Sequence, residues 1–297
     1  MGKLAVISDL HVDINGLNQV ALERIAKHLV EGGITHLHLA GDVANTAAET
    51  LETVERFQQF LPATFHWGNH EMVTLIGEAE IENYPHELFL NFRSHPLSDE
   101  VLLVGVNGWY DYQFAENPDL KKNQRLKDLY WYDRKIQRAG NDSMISQGIN
   151  QRLDEFLGCL PKEKTVILST HFVPKWDFII QHQGEHVRWN QLNAFLGSPD
   201  FGEVIDEYSQ VKHVIFGHTH RRFEPKKIKQ TWYHCRPFGY YYEWQTTRTF
   251  VFKHQLVENY RPNKLRSVLR DNRALFQVHK EKTLLKELQE GMTIIHY

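Results

Sequence analysis

"THLHLAGDVANTAAETLETVERFQQFLPATFHWGNHE", residues 35–71, decides the fold. Two short apolar runs, 35–42 and 63–70, read as strands. The stretch between them, 48–61, reads as a helix with Pro62 just past its end. Upstream, "KLAVISDL" (3–10) is a β-branched run that ends in polar residues. "LNQVALERIAKHLVEGG" (17–33) follows, with Leu17, Val20, Leu22, Ile25 and Leu29 at helical spacing before a Gly-Gly stop. Strand, helix, strand, helix, strand in the first 70 residues predicts parallel βαβ units and an α/β sheet. In such sheets functional groups gather beyond the carboxyl ends of the strands.

Further strands are expected at 100–107, 164–170 and 211–216. Two more, 231–235 and 248–253, read as antiparallel and hairpin-like, and "KKIK" (226–229) as a solvated hairpin loop. Residues 110–147 form a polar, aromatic excursion over one edge of the fold, and 172–190 a second. From about 255 onward the chain is a charged tail with one helical stretch, 279–290. The expected organisation is one domain over 1–255 with a C-terminal extension, 256–297, packed on it.

Composition bounds the partners. The chain has 297 residues, 41% hydrophobic and 24% charged, which suits an ordinary soluble globular protein with a substantial core. A net charge of −3 gives no global basic field for nucleic acid or anionic lipid. Cys159 and Cys235 are too few for a disulfide framework, which fits a reduced compartment. The N-terminal apolar run is interrupted by Ser8 and Asp9, so it does not read as a signal peptide. No stretch approaches the roughly 20 apolar residues of a membrane span. A cytoplasmic location is expected. Histidine is the outlier: 18 of them against two cysteines directs any metal chemistry toward nitrogen and oxygen ligands.

Each expected core strand ends in such groups. The first ends in Asp9-Leu10-His11, the second in Gly41-Asp42, the third in Gly68-Asn69-His70-Glu71. The 164–170 strand ends in His171, and the 211–216 strand in Gly217-His218-Thr219-His220. Singly these are weak signals, because a Gly-Asp pair is usually a turn and a lone histidine is usually a hydrogen-bonded core residue. Together they would converge on one edge of one sheet.

This ordered set, D-x-H, G-D, G-N-H-E, a lone H and G-H-x-H, resembles the calcineurin-like metallophosphoesterases over residues 3–220. The resemblance implies a four-layer αββα sandwich with two central mixed sheets and two divalent metals at the sheet edge. It implies that Asp9, His11 and His220 hold one metal, that Asn69, His171 and His218 hold the other, and that Asp42 bridges both. His70 would be the catalytic histidine.

The physical reading agrees. Two neighbouring dications repel, so an anionic bridge is needed, and a carboxylate supplies it. A nitrogen and oxygen donor set without thiolate suits Mn, Fe, Zn or Co, with Mn or Fe favoured. Ligand sets that leave open positions allow a bridging hydroxide to attack a bound phosphomonoester or phosphodiester in line. His70 would then protonate the leaving oxygen. Glu71 is expected to orient His70, and Asp13 to support His11. Trp109 and Tyr110, in "GWYDY", would either wall the substrate pocket or pack the excursion on the sheet. His182, His186 and Arg188 are candidates for a second phosphate or a sugar. His36, His38 and His66 read as core or sheet-rim histidines.

The expected partner is therefore a phosphorylated small molecule. Two other readings remain: a nuclease with a local basic groove at Arg221, Arg222 and Lys226–Lys229, and a metal-binding interaction module of the same fold without turnover.

Overall fold

In β1 (Lys3–Ile7), Leu4 and Val6 face one way and Ala5 and Ile7 the other, and all four are buried. A strand covered on both faces belongs inside a layered fold. The computed structural model, which describes residues 2–297, has that architecture. β2 (His36–Ala40) and β3 (Ala63–His66) run parallel to β1 in register. Helices α1 (Gln19–Glu31) and α2 (Ala47–Gln58) make the crossovers. Asn18 caps α1 by accepting from the Ala21 N–H, and Thr46 caps α2 by accepting from the Glu49 N–H. Leu22, Ile25 and Leu29 of α1, with Val54 and Phe57 of α2, bury against the outer face of this sheet.

The short helices α3 (Asn69–Met72) and α4 (Gly77–Asn83) lead to a second sheet. β4 (Arg93–Pro96) is its antiparallel edge against β5 (Val101–Val106). α5 (Leu120–Tyr130) and α6 (Asp142–Cys159) precede β6 (Thr165–Thr170), and α7 (Pro199–Asp206) precedes β7 (Val211–Phe216). β5, β6 and β7 are parallel. β8 (Lys226–Ile228) pairs antiparallel with β9 (Thr231–Cys235), which lies parallel to β7. Helices α8 (Gln245–Lys253), α9 (Pro262–Asp271) and α10 (Arg273–Glu290) follow, and β10 (Thr293–His296) returns to pair antiparallel with β1.

The sheets therefore read β10-β1-β2-β3 and β4-β5-β6-β7-β9-β8. Between them lies a thin apolar layer that includes Leu4, Val6, Ala40, Leu103, Ile167, Ile215 and Ile295. Helices cover the outer faces, which makes the αββα sandwich. Among the described residues no helix is long and apolar enough to cross a membrane.

Three local expectations were wrong, the first being the tail after 255, which holds two helices, α9 and α10, and strand β10 rather than one helical stretch. Residues 248–253 are part of α8, not a strand. Their β-branched and aromatic run suggested period two, but Thr246, Thr247, Phe250 and Val251 are buried together on one helical face. The Glu287 carboxylate of α10 accepts from the Gln245 and Thr246 N–H groups and so anchors that helix start. "KKIK" contributes β8, an exposed edge strand whose lysines suit an edge that must not recruit another strand.

Candidate metal centre

The ladders stop earlier than the apolar runs suggest, at Ile7 and Ala40, so the polar blocks lie in the turns just beyond the strands. These turns are unusual. Asp9, His11, Asp42, His218 and His220 have φ of 57°, 43°, 51°, 65° and 50°. Such left-handed residues cost about 1–3 kcal/mol each and persist only where surrounding structure enforces them. Here they re-aim side chains from three strand ends, those of β1, β2 and β7, toward one point. The glycines of the motifs have a matching cause. A Cβ on Gly68 would stand 2.2 Å from Asp42 Oδ1, and one on Gly217 would stand 2.0 Å from Asp9 Oδ2. The carboxylates pass directly over bare backbone.

Two groups of ligand atoms result. Asp9, His11, Asp42 and His220 offer atoms within 4.8 Å of one another, and so do Asp42, His171 and His218. Asp42 belongs to both. Asn69 adds its Oδ1, 3.2 Å from His171 Nε2.

The outer nitrogens explain why the inner ones can serve as ligands. His171 Nδ1 donates to the Ala40 carbonyl (3.2 Å), His218 Nε2 to the Phe195 carbonyl (3.0 Å) and His220 Nδ1 to Glu243 (2.8 Å). Each such bond fixes the tautomer and turns a lone pair inward. Those inner atoms then face one another: His11 Nε2 lies 3.2 Å from His220 Nε2, and His171 Nε2 lies 3.2 Å from His218 Nδ1. Lone pairs crowded in this way, beside two buried carboxylates, call for cations. The residues fit divalent metals.

The electrostatics repeat that demand. Burial opposes the charge of Asp9, yet the hydrogen bond and charge of His220 hold its carboxyl at about 2. Burial likewise opposes charge on His171, but Asp42 raises it to about 9. His220 rises to about 10 against burial, through Asp9 and Glu243. Burial and the neighbouring His171 push His218 down to about 3.

His70 sits at the mouth of this group. Its Nδ1 donates to Asn45 Oδ1 (2.5 Å), which leaves Nε2 3.8 Å from Asp42 Oδ2. Tyr132 stacks on its ring at 4.6 Å, and the Tyr240 hydroxyl lies 3.4 Å from Nε2. Tyr240 also packs on His11 and His220, with ring centroids 4.5 and 4.3 Å away.

The other sequence candidates divide. Glu71 does not touch the His70 side chain. It accepts from the backbone N–H groups of Asp42, Val43, Ala44 and Gly68 and from the Thr50 hydroxyl, stapling the Gly-Asp turn to the Gly-Asn-His turn. Asp13 makes no bond to His11. His11 Nδ1 and Asp13 Oδ1 are both buried without a partner. Trp109 and Tyr110 are 1% and 0% exposed and stack on each other, with Trp109 donating to Asp142, so they pack the excursion rather than wall a pocket. His182, His186 and Arg188 line an open cleft beside the centre.

Five residues escaped the sequence reading: Asn45, Tyr132, Asp133, Tyr240 and Glu243. Asp133 accepts from Asn69 Nδ2 (2.7 Å) and so aims the Asn69 oxygen inward. Asn45 had a usable signal, since it lies in the turn that follows Gly41-Asp42. Tyr240 and Glu243 had none, because "GYYYEW" reads as strand packing.

A family model described as calcineurin-like phosphoesterase matches residues 2–222. No match to a curated protein sequence reaches significance. Among solved structures, phosphopantetheinyl hydrolase from Mycobacterium tuberculosis superposes with a TM-score of 0.62 at 17% identity, over 82% of this chain and 92% of that one. A dimetal phosphatase from Danio rerio gives 0.46 at 12% identity, over 80% of this chain and 87% of that one. At such identities the likeness is one of fold.

Proposed function

The chain belongs to the calcineurin-like phosphoesterase family, and from that premise we propose that it hydrolyses a phosphomonoester or phosphodiester with two divalent metal ions. The observation that carries this reading is the sharing of Asp42 between two groups of ligand atoms. Asp9, His11 and His220 would hold one ion, Asn69, His171 and His218 the other, and Asp42 both. The donor set favours Mn or Fe, with Zn and Co next. Ions so held supply a water activated at neutral pH and positive charge for the phosphoryl oxygens.

The chain's own groups do the rest. Asn45 fixes the His70 tautomer, so Nε2 is the atom presented to the ester. Protonated there, His70 gives its proton to the leaving oxygen as the P–O bond breaks, while the water oxygen becomes the new phosphate oxygen. Burial keeps the Tyr240 phenol protonated well above neutral pH, so it is a donor toward the same position. The partner that suits this chemistry is a phosphorylated small molecule, since the net charge of −3 offers no broad field for a polyanion.

The test is hydrolysis of p-nitrophenyl phosphate and bis(p-nitrophenyl) phosphate by metal-stripped protein, with Mn²⁺ titrated back. Turnover should return as about two ions bind per chain. His70→Ala should lose roughly 10²- to 10⁴-fold on alkyl esters, and far less on p-nitrophenyl esters, whose leaving group needs no proton. A chain that binds no metal sinks the reading.

A further inference from the structure

Beside the metal centre lies an open cleft of about 1150 Å³ that the hydrolysis of a simple ester leaves without a role. Most of its lining comes from three parts of the chain, Trp131 after α5, the run of 3-10 turns over Gly184–Phe195, and residues 259–264 leading into α9, with His182, Arg221 and Glu243 added. Its charge is at odds with the whole. Arg188, Arg221, Arg261 and Lys264 all line it, and none is ion-paired among the described residues, where Arg138, Arg222 and Lys127 elsewhere are. The carboxylates in the lining are Glu185 and Glu243, and Glu243 is committed to His220. The cleft is therefore cationic on a chain of net charge −3.

It is also aromatic. Trp189 is 42% exposed with the Arg188 guanidinium 5.4 Å over its ring. Trp131, half-buried and stacked on Phe195 at 4.6 Å, also lines the cleft, as does Tyr260. Exposed indole beside free guanidinium is a surface for a flat ring carrying negative charge.

The cleft joins the centre at three points. Glu243 lines it and holds His220, Arg221 follows His220 directly, and Phe195, whose carbonyl anchors His218, closes the run of 3-10 turns. We propose that this cleft receives the part of the substrate beyond the scissile phosphate, and that the substrate is a nucleotide carrying a second phosphate. The base stacks on Trp189 and Trp131, and the second phosphate meets Arg188, Arg261 and Lys264. This rests on the reading of the metal centre as the place where the ester is cut.

Three chromogenic esters separate the contributions: bis(p-nitrophenyl) phosphate, the p-nitrophenyl ester of thymidine 5′-phosphate, and the same ester with a 3′-phosphate added. kcat/KM should rise along that series by about tenfold for the second phosphate, through KM rather than kcat. The double variant Arg261→Ala, Lys264→Ala should collapse that ratio, whereas Arg270→Ala, on the exposed side of α9, should preserve it. Equal kcat/KM for all three esters would overturn the proposal. Calorimetry with adenosine 3′,5′-bisphosphate on the metal-loaded His70→Ala protein, which turns over alkyl esters too slowly to add heat, gives a readout of binding alone. Binding that the double variant weakens about tenfold supports the cleft even if no ester is hydrolysed, in which case the phosphoesterase reading alone fails. Binding no tighter than that of inorganic phosphate overturns the cleft while leaving that reading intact. Affinity for oligothymidylate that climbs with length, with a steep salt dependence, would replace the nucleotide by a nucleic-acid strand.

Discussion

Two sets of histidines serve the sandwich, and they differ in what their rings meet. His36, His38 and His66 sit inside β2 and β3, in the layer between the sheets. His11, His171, His218 and His220 sit just beyond strand ends. The first set pairs with hydroxyls: His36 Nε2 and His38 Nδ1 each lie 2.9 Å from Thr64 Oγ1, and His66 Nε2 lies 3.0 Å from Ser169 Oγ. The second set faces Asp9 and Asp42. Burial pushes His36 down to about 4 and His66 to about 3, so the interior set is neutral. His171 is as buried and His220 nearly so, yet the neighbouring carboxylates push them up to about 9 and about 10, the mark of a site that favours a cation. Residue type and burial are thus shared. What makes a ligand is departure from the ladder into a turn, left-handed at His11, His218 and His220 and directly after β6 at His171, that brings imidazole onto carboxylate.

The sharpest way to break this comparison is Asp42→Asn set against His38→Gln. Asp42→Asn removes the shared anion and should drop turnover by about 10³-fold, some 4 kcal/mol of barrier. Bound metal should fall from two ions to one or none. His38→Gln should leave metal content at two and turnover within about twofold, since its ring only packs between the sheets. Metal analysis and steady-state rates decide the matter, and a His38 variant short of metal would refute the division.

The same contrast explains what the sequence disclosed. The βαβ frame was legible because Leu, Val and Ile recur at strand and helix periods. The ligand blocks were legible because glycine is required where Asp9 and Asp42 cross the chain, which gives G-D, G-N-H and G-H their fixed spacing. Asp133, Tyr240 and Glu243 were not legible. They reach the site from irregular segments, where neither periodicity nor a short motif records direction. Glu71 was legible as a residue but not in its role, because five donors from two turns and helix α2 meet on it only in three dimensions. The helix at 248–253 was misread because its apolar residues suit a strand locally, and only packing on α10 selects the helical face.

A smaller effect tests the supporting partners. Glu243→Gln keeps a hydrogen-bond acceptor for His220 Nδ1 but removes the charge, and should weaken metal binding by about 10- to 100-fold in a chelator competition. The parallel change inside the sandwich is Ser169→Ala, which strips the partner from His66. It should leave metal affinity unchanged and lower stability by about 1 kcal/mol in denaturant titration. If both substitutions moved metal affinity equally, the interior set would be coupled to the centre rather than separate from it.

The smallest expected effect is on acid stability. His36 titrates near 4 in the folded protein against 6.5 in the unfolded chain, because burial and the facing His95 disfavour its charge. His66 titrates near 3 for the same first reason. With folded values below unfolded ones, the unfolded chain takes up protons first. The stabilisation is complete above 6.5 and is lost as pH falls toward 4 and then 3. Thermal melts of the metal-free protein between about pH 7 and pH 4.5 should show that loss. His36→Gln should make the fall in Tm shallower by a few degrees, because it removes one titrating group while keeping a partner for Thr64. An equal fall in both proteins would mean that His36 contributes nothing to the acid sensitivity.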